Sequence, residues 1–174
     1  MVDSIPRRAL LVPTDLSSTS LPAAIYAATL APRIGAPVVL LHVVSPRQIE
    51  EGIAEGRYVD KELEEVRSSV LWWFASLVPP EIRQGLSVTA VAAVGHPEHE
   101  ILTTAHAIEA RMIVMATHGR TGLPRAVLGS VAESVLRHAT CPVLTIPPAA
   151  RPEAAPSGVA PAREGQEAMT AGSQ

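Results

Sequence analysis

MIVMATHGRTGLPRAVLGSVAESVLRHATCPVLTI, residues 112–146, is the stretch that decides the fold, because it contains a complete strand, loop, helix and strand. Met112 to Ala116 and Pro142 to Ile146 are short apolar runs, typical of strands covered on both faces. The segment from Ser130 to His138 is predicted to be the helix between them. Strands joined through a helix usually lie parallel in one sheet, so this stretch predicts a parallel α/β fold.

The rest of the chain repeats this alternation of strands and helices. Apolar runs predict strands over Ala9 to Pro13, Val38 to Val44 and Leu86 to Val94. Apolar residues at steps of three and four predict helices over residues 18–34 and 59–77, and a further helix begins at Pro97. The sequence therefore predicts a doubly wound, five-stranded parallel sheet of the Rossmann-like type, with helices on both faces.

Single residues predict several boundaries of these elements. Ser17 and Ser18 are candidate N-caps of the first helix, and Gly35 is its expected stop. Pro32 is expected to shorten or kink the last turn, because its nitrogen carries no hydrogen. Residues 47–58 have weak periodicity and are expected to form a mobile connection or a frayed first helical turn.

Composition and charge exclude several classes of protein. The chain has 174 residues, a formal net charge of −3 and one lysine, so it lacks the clustered positive charge that nucleic-acid binding requires. Its one cysteine, Cys141, excludes an intramolecular disulfide, and no apolar run is long enough for a signal sequence or a membrane span. We therefore expect a cytoplasmic protein without nucleic-acid or membrane partners. Residues 1–148 are expected to form one domain, and the Ala/Pro-rich residues 149–174 a disordered tail.

Two strand ends are candidates for a ligand site, because ligands of doubly wound sheets bind at the carboxyl ends of the strands where the strand order reverses. One is Pro13-Thr14-Asp15; the other is the loop from Ala116 to Ser130. That loop contains Gly119 and Gly122 and ends in Gly129-Ser130 at a helix start, where free N–H groups can bind a phosphate. Arg120 and Arg125 would add positive charge. Neither a Walker A pattern nor a G-x-G-x-x-G fingerprint is present.

Each of these residues also has a purely structural interpretation. Ser130 and Glu133 have the spacing of a capping box, and Asp15 suits a turn before a helix. His42 is expected to be a satisfied histidine of a buried strand. His118 is the one histidine beside the loop, and no base or nucleophile accompanies it. The spacing of His96, His99 and His106 does not favour a metal site, so we assign neither catalytic nor metal-binding residues.

The segment from Ala116 to Ile146 resembles the nucleotide-binding segment of universal stress proteins. The family motif is G-x2-G-x9-G-S/T; Gly119, the nine residues 120–128 and Gly129-Ser130 match its spacing, while Ala116 replaces the first glycine. VPTDLS (residues 12–17) and LLHVV (residues 40–44) resemble two further signature segments of the family. The resemblance covers residues 1 to about 148 and implies the adenine nucleotide alpha hydrolase-like fold of the ATP-binding subgroup.

The resemblance also implies a set of binding residues. Asp15 would face the ribose or adenine, the backbone of Pro13 and Val43 would border the adenine, and Met115 would pack on the base. The implied ligand is ATP, with Mg²⁺ held mainly by phosphate oxygens and water. A homodimer would form through the last strand, Pro142 to Ile146. The full set of implied binding residues is Pro13, Thr14, Asp15, Val43, Met115, Ala116, Thr117, His118, Gly119, Arg120, Thr121, Gly122, Gly129, Ser130, Val131 and Ala132.

Three functions remain open at this point. The first is an ATP-binding stress or regulatory protein with little or no hydrolysis. The second is a homodimeric interaction module that binds no nucleotide, which Ala116 favours because it replaces a motif glycine. The third is a weak adenine-nucleotide hydrolase, which would need a positioned base near the phosphates, and His118 is the one candidate for that base.

Overall fold

The computed structural model describes residues 5–54, 58–117 and 128–147. The strands among these residues form a single parallel sheet. Its strand order is β3-β2-β1-β4-β5, which confirms the predicted doubly wound, five-stranded α/β fold. The strands are Leu10–Pro13 (β1), Val38–Val44 (β2), Val88–Val94 (β3), Met112–Ala116 (β4) and Val143–Ile146 (β5). The helices are Leu21–Ile34 (α1), Pro46–Ala54 (α2), Val59–Leu77 (α3), Pro80–Arg83 (α4), Pro97–Ala107 (α5) and Ser130–His138 (α6).

The strand order reverses at β1. The chain leaves β1 for β2 and then β3, and returns on the other side of β1 as β4 and then β5. Leu10 of β1 consequently aligns with Val38 on one side and with Met112 on the other. Connections that leave β1 and β4 diverge to opposite sides, which opens a crevice at the carboxyl ends of these two strands.

The core has two halves, one on each face of the sheet, because alternate residues of a strand point to opposite faces. Leu10 and Leu40 pack with α1 and α3, whereas Leu11 and Leu41 pack with α5 and α6. All four leucines are fully buried, and burial of each contributes roughly 1.5–3 kcal/mol to stability. Helix α1 meets the sheet through small side chains, which permits close approach; these are Ala23, Ala24, Ala27, Ala28 and Ala31.

The ends of α1 differ in part from the sequence predictions. The N-cap is Ser20, not Ser17 or Ser18, because the preceding serines belong to the loop that connects β1 to α1. Gly35 ends the helix in a left-handed conformation, with φ of 60°, as predicted. Pro32 lies inside the last turn, and the helix nevertheless continues to Ile34.

The expectation of an irregular segment over residues 47–58 was wrong for most of its length. Helix α2 occupies Pro46–Ala54 and buries Ile49 and Gly52. At its start, the Ser45 N–H donates to Oε1 of Gln48 at 3.0 Å, and the Gln48 N–H donates back to the Ser45 hydroxyl at 3.4 Å. This reciprocal pairing is a capping box and compensates for the weak apolar periodicity.

The turn after Pro79 contains the four-residue helix α4, which the sequence analysis did not predict. The predicted tail, residues 149–174, lies outside the described residues. Among the helices described here, none combines the length and the hydropathy needed to span a membrane.

Candidate functional site

A cavity of about 320 Å³ opens at the carboxyl ends of β1, β2 and β4, at the point where the strand order reverses. The starts of α5 and α6 form the rest of its wall. Most of the sequence-predicted binding residues that the structure describes line it, namely Pro13, Thr14, Asp15, Val43, Met115, Ala116, Gly129, Ser130 and Val131. Sequence reasoning missed five other lining residues, which are Ser20, Leu41, His42, Pro97 and Ile101.

Two further predicted residues that the structure describes, Thr117 and Ala132, do not line this cavity. The Ala132 side chain is 3% exposed and belongs to the core beneath α6. Thr117 acts through its backbone: its N–H donates to the carbonyl of Ile146 at 3.1 Å, and its carbonyl accepts from the N–H of Gly129 at 2.8 Å. The residues His118, Gly119, Arg120, Thr121, Gly122 and Arg125 lie outside the described residues.

Asp15 supplies the one carboxylate among the described residues of the cavity wall. Partial burial by itself would raise its pKa, but hydrogen bonds outweigh burial and lower the pKa of the Asp15 carboxyl below its ordinary value. The hydroxyl and the N–H of Ser17 both donate to Oδ1, at 2.6 and 3.1 Å. Asp15 is therefore ionised at neutral pH, and this part of the wall is negative.

The loop that carries Asp15 is held by buried hydrogen bonds. The hydroxyl groups of Thr14 and Ser20 lie 2.9 Å apart, and the N–H of Leu16 donates to Oγ1 of Thr14 at 3.0 Å. Leu16 has φ of 63°, a left-handed conformation that costs a side-chain-bearing residue about 1–2 kcal/mol. Such strain persists only where surrounding contacts enforce it, so the loop presents Asp15 in one defined position.

His42 joins the second strand to this loop. Its Nδ1 lies 2.8 Å from the carbonyl oxygen of Thr14. Because a carbonyl oxygen can only accept, Nδ1 must donate this hydrogen bond and therefore carries a proton. The prediction of a satisfied histidine is confirmed for Nδ1; His42 is half-buried and is also one of the residues that line the cavity, which the sequence did not predict.

The start of α6 gives another part of the cavity wall a positive polarity, opposite in sign to the Asp15 carboxylate. Gly129, not Ser130, is its N-cap, and no side chain caps the helix. The predicted capping box is therefore wrong: the Glu133 N–H donates to the Gly129 carbonyl at 2.9 Å, and the Glu133 carboxylate pairs with Arg137 at 2.7 Å. The first-turn N–H groups and the positive end of the helix dipole lie against the cavity.

Ala116 creates no conformational obstacle at this site. It belongs to β4, where it aligns with Ile146 of β5. Among the described residues other than glycine, positive φ occurs at Arg8, Leu16 and Glu109, and Ala116 is not one of them. The backbone at position 116 therefore accepts an alanine without strain.

The histidines of α5 do not form a metal site within the described part of the chain. His96 precedes the helix as its N-cap residue, and His99 and His106 are exposed along it. Over residues 5–54, 58–117 and 128–147, no three His, Cys, Asp or Glu side chains come close enough together to hold a metal ion.

The doubly wound parallel sheet with helices on both faces defines a Rossmann-like α/β fold. The sequence model of the Universal stress protein family matches residues 6–147. The chain therefore belongs to the universal stress protein family, which confirms the family that the sequence resembles.

Named relatives agree with this assignment. Universal stress protein MJ0531 of Methanocaldococcus jannaschii is 34% identical over 139 residues, which cover 79% of this chain and 80% of the relative. The solved structure of MJ0577, from the same organism, is 29% identical with a TM-score of 0.65, covering 82% of this chain and 97% of that one. A universal stress protein of Archaeoglobus fulgidus, solved in complex with dAMP, shares the fold at 23% identity and a TM-score of 0.56, covering 82% and 99% of the two chains.

Proposed function

We propose that this protein binds an adenine nucleotide, ATP in the first place, in the cavity at the switch point. Its role would be that of a nucleotide-responsive stress or regulatory protein with little or no hydrolysis. The observation that carries the proposal is the opposed polarity of the cavity, which has the Asp15 carboxylate on one wall and the uncapped N-terminus of α6 on another. A nucleotide has matching polarity, with hydroxyl donors on its ribose and negative charge on its phosphates.

The two walls would take different parts of the ligand. Phosphates belong at α6, because N–H groups and the helix dipole stabilise anions and the Asp15 carboxylate would repel them. The base would lie on the apolar part of the wall, formed by Leu41, Val43, Ile101 and Met115. The dAMP complex of the A. fulgidus protein, which shares this fold, is consistent with such a ligand.

In this proposal Mg²⁺ would bind together with the phosphates of the nucleotide, and the protein would need no dedicated metal site. Mg²⁺ bound with nucleotides keeps several water ligands and takes the others from phosphate oxygens. One protein carboxylate, or none, is then sufficient. Ser130, exposed at the first position of α6, would supply a hydroxyl to the phosphates.

We also propose a homodimer through β5. This strand lies at one edge of the sheet, and its apolar residues Val143, Leu144 and Ile146 are only partly buried. An open edge with apolar side chains invites pairing with a second strand, and a two-fold axis satisfies both copies at once. Light scattering on the purified chain tests this proposal, and a monomer at micromolar concentration would contradict it.

Calorimetric titration of nucleotide-stripped protein with Mg-ATP tests the binding proposal. We expect micromolar affinity in the wild type and its loss in a Gly129→Glu, Ser130→Glu double variant, whose carboxylates would repel phosphates. Leu136→Glu is the control, because it adds a negative charge to α6 at an exposed position away from the cavity. A folded wild type that binds no adenine nucleotide would overturn the proposal and favour the interaction module.

A further inference from the structure

The solvent-facing side of helix α3 changes character halfway along its length. Its first half is charged, and Asp60, Glu64 and Glu65 are among its exposed residues. From Ser68 to Pro80 the sequence contains no charged residue. Exposed helix faces of globular proteins normally carry charged and polar side chains. The second half of α3 is therefore an unusual surface to leave in contact with water.

Four exposed residues of this second half lie on one side of the helix. They follow the spacing i, i+3, i+4 and i+7, and they are Ser68, Leu71, Trp72 and Ala75. We call this row the outer face of α3. Leu71 is 42% exposed and Trp72 is 73% exposed. The side of α3 that packs on the sheet uses other residues, namely Val70, Trp73 and Phe74, so the outer face contributes nothing to the core.

We propose that the outer face of α3 binds the same face of a second copy of this chain, with the two helices antiparallel. A two-fold axis between Leu71 and Trp72 sets each Leu71 against the partner's Trp72, and each Ser68 against the partner's Ala75. Helical side chains lean toward the N-terminus of their own helix. Each indole would therefore lie over a pair of small residues, which leaves room for it. The outer face is in this way complementary to itself.

Charge selects the antiparallel orientation. Parallel helices would set Glu64 and Glu65 beside their own copies, and like charges in such positions are destabilising. With Ser68 opposite the partner's Ala75, the two carboxylates instead lie level with Val78 and Pro79 of the second copy. Arg83 belongs to this level, because its Nε donates to the carbonyl of Val78 at 2.9 Å. The acidic half of each helix would thus meet a positive charge.

The position of α3 in the fold keeps this contact separate from the other proposals. Helix α3 packs on β3 and β2, and β3 is the edge strand farthest from β5. The α3 contact would therefore leave β5 open for its own pairing, and it does not depend on nucleotide binding. One helix pair buries less than the standard interface of about 1,600 Å², so the association should be weak, with a dissociation constant of about 10–100 μM.

Sedimentation equilibrium of the full chain over a range of concentrations tests the contact. The weight-average mass of the wild type should rise with concentration, and Trp72→Glu should abolish this rise because it sets two carboxylates near the two-fold axis. Tyr58→Glu is the matched control, since Tyr58 is a similarly exposed aromatic residue, 80% exposed, at the start of the same helix and outside the outer face. An equal rise in wild type and Trp72→Glu would overturn the proposal. A constant mass in the wild type would also overturn it and would assign the outer face to a different protein.

Disulfide trapping tests the orientation. Ser68→Cys and Ala75→Cys chains are prepared separately in a Cys141→Ser background, because Cys141 is the one native cysteine, and are then mixed with oxidised glutathione. Antiparallel helices predict a cross-linked dimer in the mixture and little in Ser68→Cys alone. The two copies of position 68 would lie about 10 Å apart along the axis, whereas a disulfide needs Cα atoms within about 7 Å. Efficient cross-linking of Ser68→Cys with itself, and none in the mixture, would overturn the antiparallel contact.

Discussion

The Ser17 hydroxyl lies 2.6 Å from Oδ1 of Asp15, and the same oxygen accepts the Ser17 N–H at 3.1 Å. Two donors from one residue thus stabilise the ionised carboxylate. The pair keeps a negative charge on the cavity wall despite partial burial, which by itself would favour the protonated form.

Ser17→Ala should raise the pKa of Asp15, because the hydroxyl that favours the charged form is removed. A carbon-detected NMR titration of the Asp15 carboxyl measures this directly. Ser18→Ala is the control, since Ser18 is an exposed neighbour in the same loop. An Asp15 pKa that is unchanged in Ser17→Ala would show that the other donors around the carboxylate sustain the charge without this hydroxyl.

The lowered pKa of Asp15 also predicts the pH dependence of stability. The folded state binds the Asp15 proton less tightly than the unfolded chain, so the ionised group stabilises the fold above its unfolded pKa of about 3.9. This contribution should disappear as the pH falls through the lower, folded pKa. The difference in urea midpoint between wild type and Asp15→Asn should therefore be constant near neutral pH and change only in strong acid. A change already near pH 6 would contradict the assignment.

Thr14→Val tests the buried hydrogen bonds of the β1–α1 loop. Valine fills the same space but leaves the Leu16 N–H and the Ser20 hydroxyl without the Thr14 oxygen. We expect a loss of about 1–3 kcal/mol in the free energy of unfolding, measured with urea. Thr29→Val on the exposed face of α1 removes a hydroxyl that bonds the Ile25 carbonyl and should change stability by less than about 0.5 kcal/mol. Equal losses in the two variants would contradict the role of burial.

Gln48→Ala should lower the stability of helix α2 and leave helix α1 unchanged. The capping box with Ser45 is expected to contribute about 0.5–2 kcal/mol, and α2 buries few apolar side chains with which to replace it. Amide hydrogen exchange should accelerate in α2 and remain slow in α1. Arg47→Ala, which removes an exposed ion pair with Glu51 on the same helix, is the control and should have a smaller effect.

Asp15→Asn should weaken binding of the proposed ligand through the ribose. An amide is a weaker acceptor than a carboxylate, so we expect about a tenfold loss for Mg-ATP by calorimetry. With 2′,3′-dideoxy-ATP, which has no ribose hydroxyl groups, the same substitution should have little effect. Equal losses for the two ligands would move the Asp15 contact from the ribose to another part of the nucleotide.

The sequence predicted the sheet well because buried parallel strands are continuous apolar runs. Strands β2 and β4 have the predicted bounds, and β1 begins one residue later than expected, at Leu10. Helix starts were harder to predict, because serine serves equally well in a loop or as a cap. In the structure, the Ser17 hydroxyl donates to Asp15, Ser20 is the N-cap residue of α1, and Gly129 is the N-cap residue of α6.

The cavity was predicted at the correct sheet edge, but not all of its wall. Pro13 and Asp15 could be placed there because they end or follow a strand next to the switch point, whereas Met115 was implied by the family resemblance. His42 and Ile101 could not, since their position depends on how far β2 extends and how α5 packs against it. The spacing Ser45-x-x-Gln48 is the sequence signature of a capping box and indicates the start of α2 even where the apolar periodicity is weak.

The hydrogen bond from the Gly129 N–H to the Thr117 carbonyl, at 2.8 Å, joins the two ends of the glycine-rich segment beside the sheet. Thr117 is itself bonded to Ile146 of β5, so both ends are fixed by the framework. The start of α6 is therefore tied to the carboxyl edge of β4, and Leu128 packs against the core beside it. The first-turn N–H groups of α6 are thus held at the cavity by the sheet itself, so the sheet framework also sets the positive end of the cavity wall.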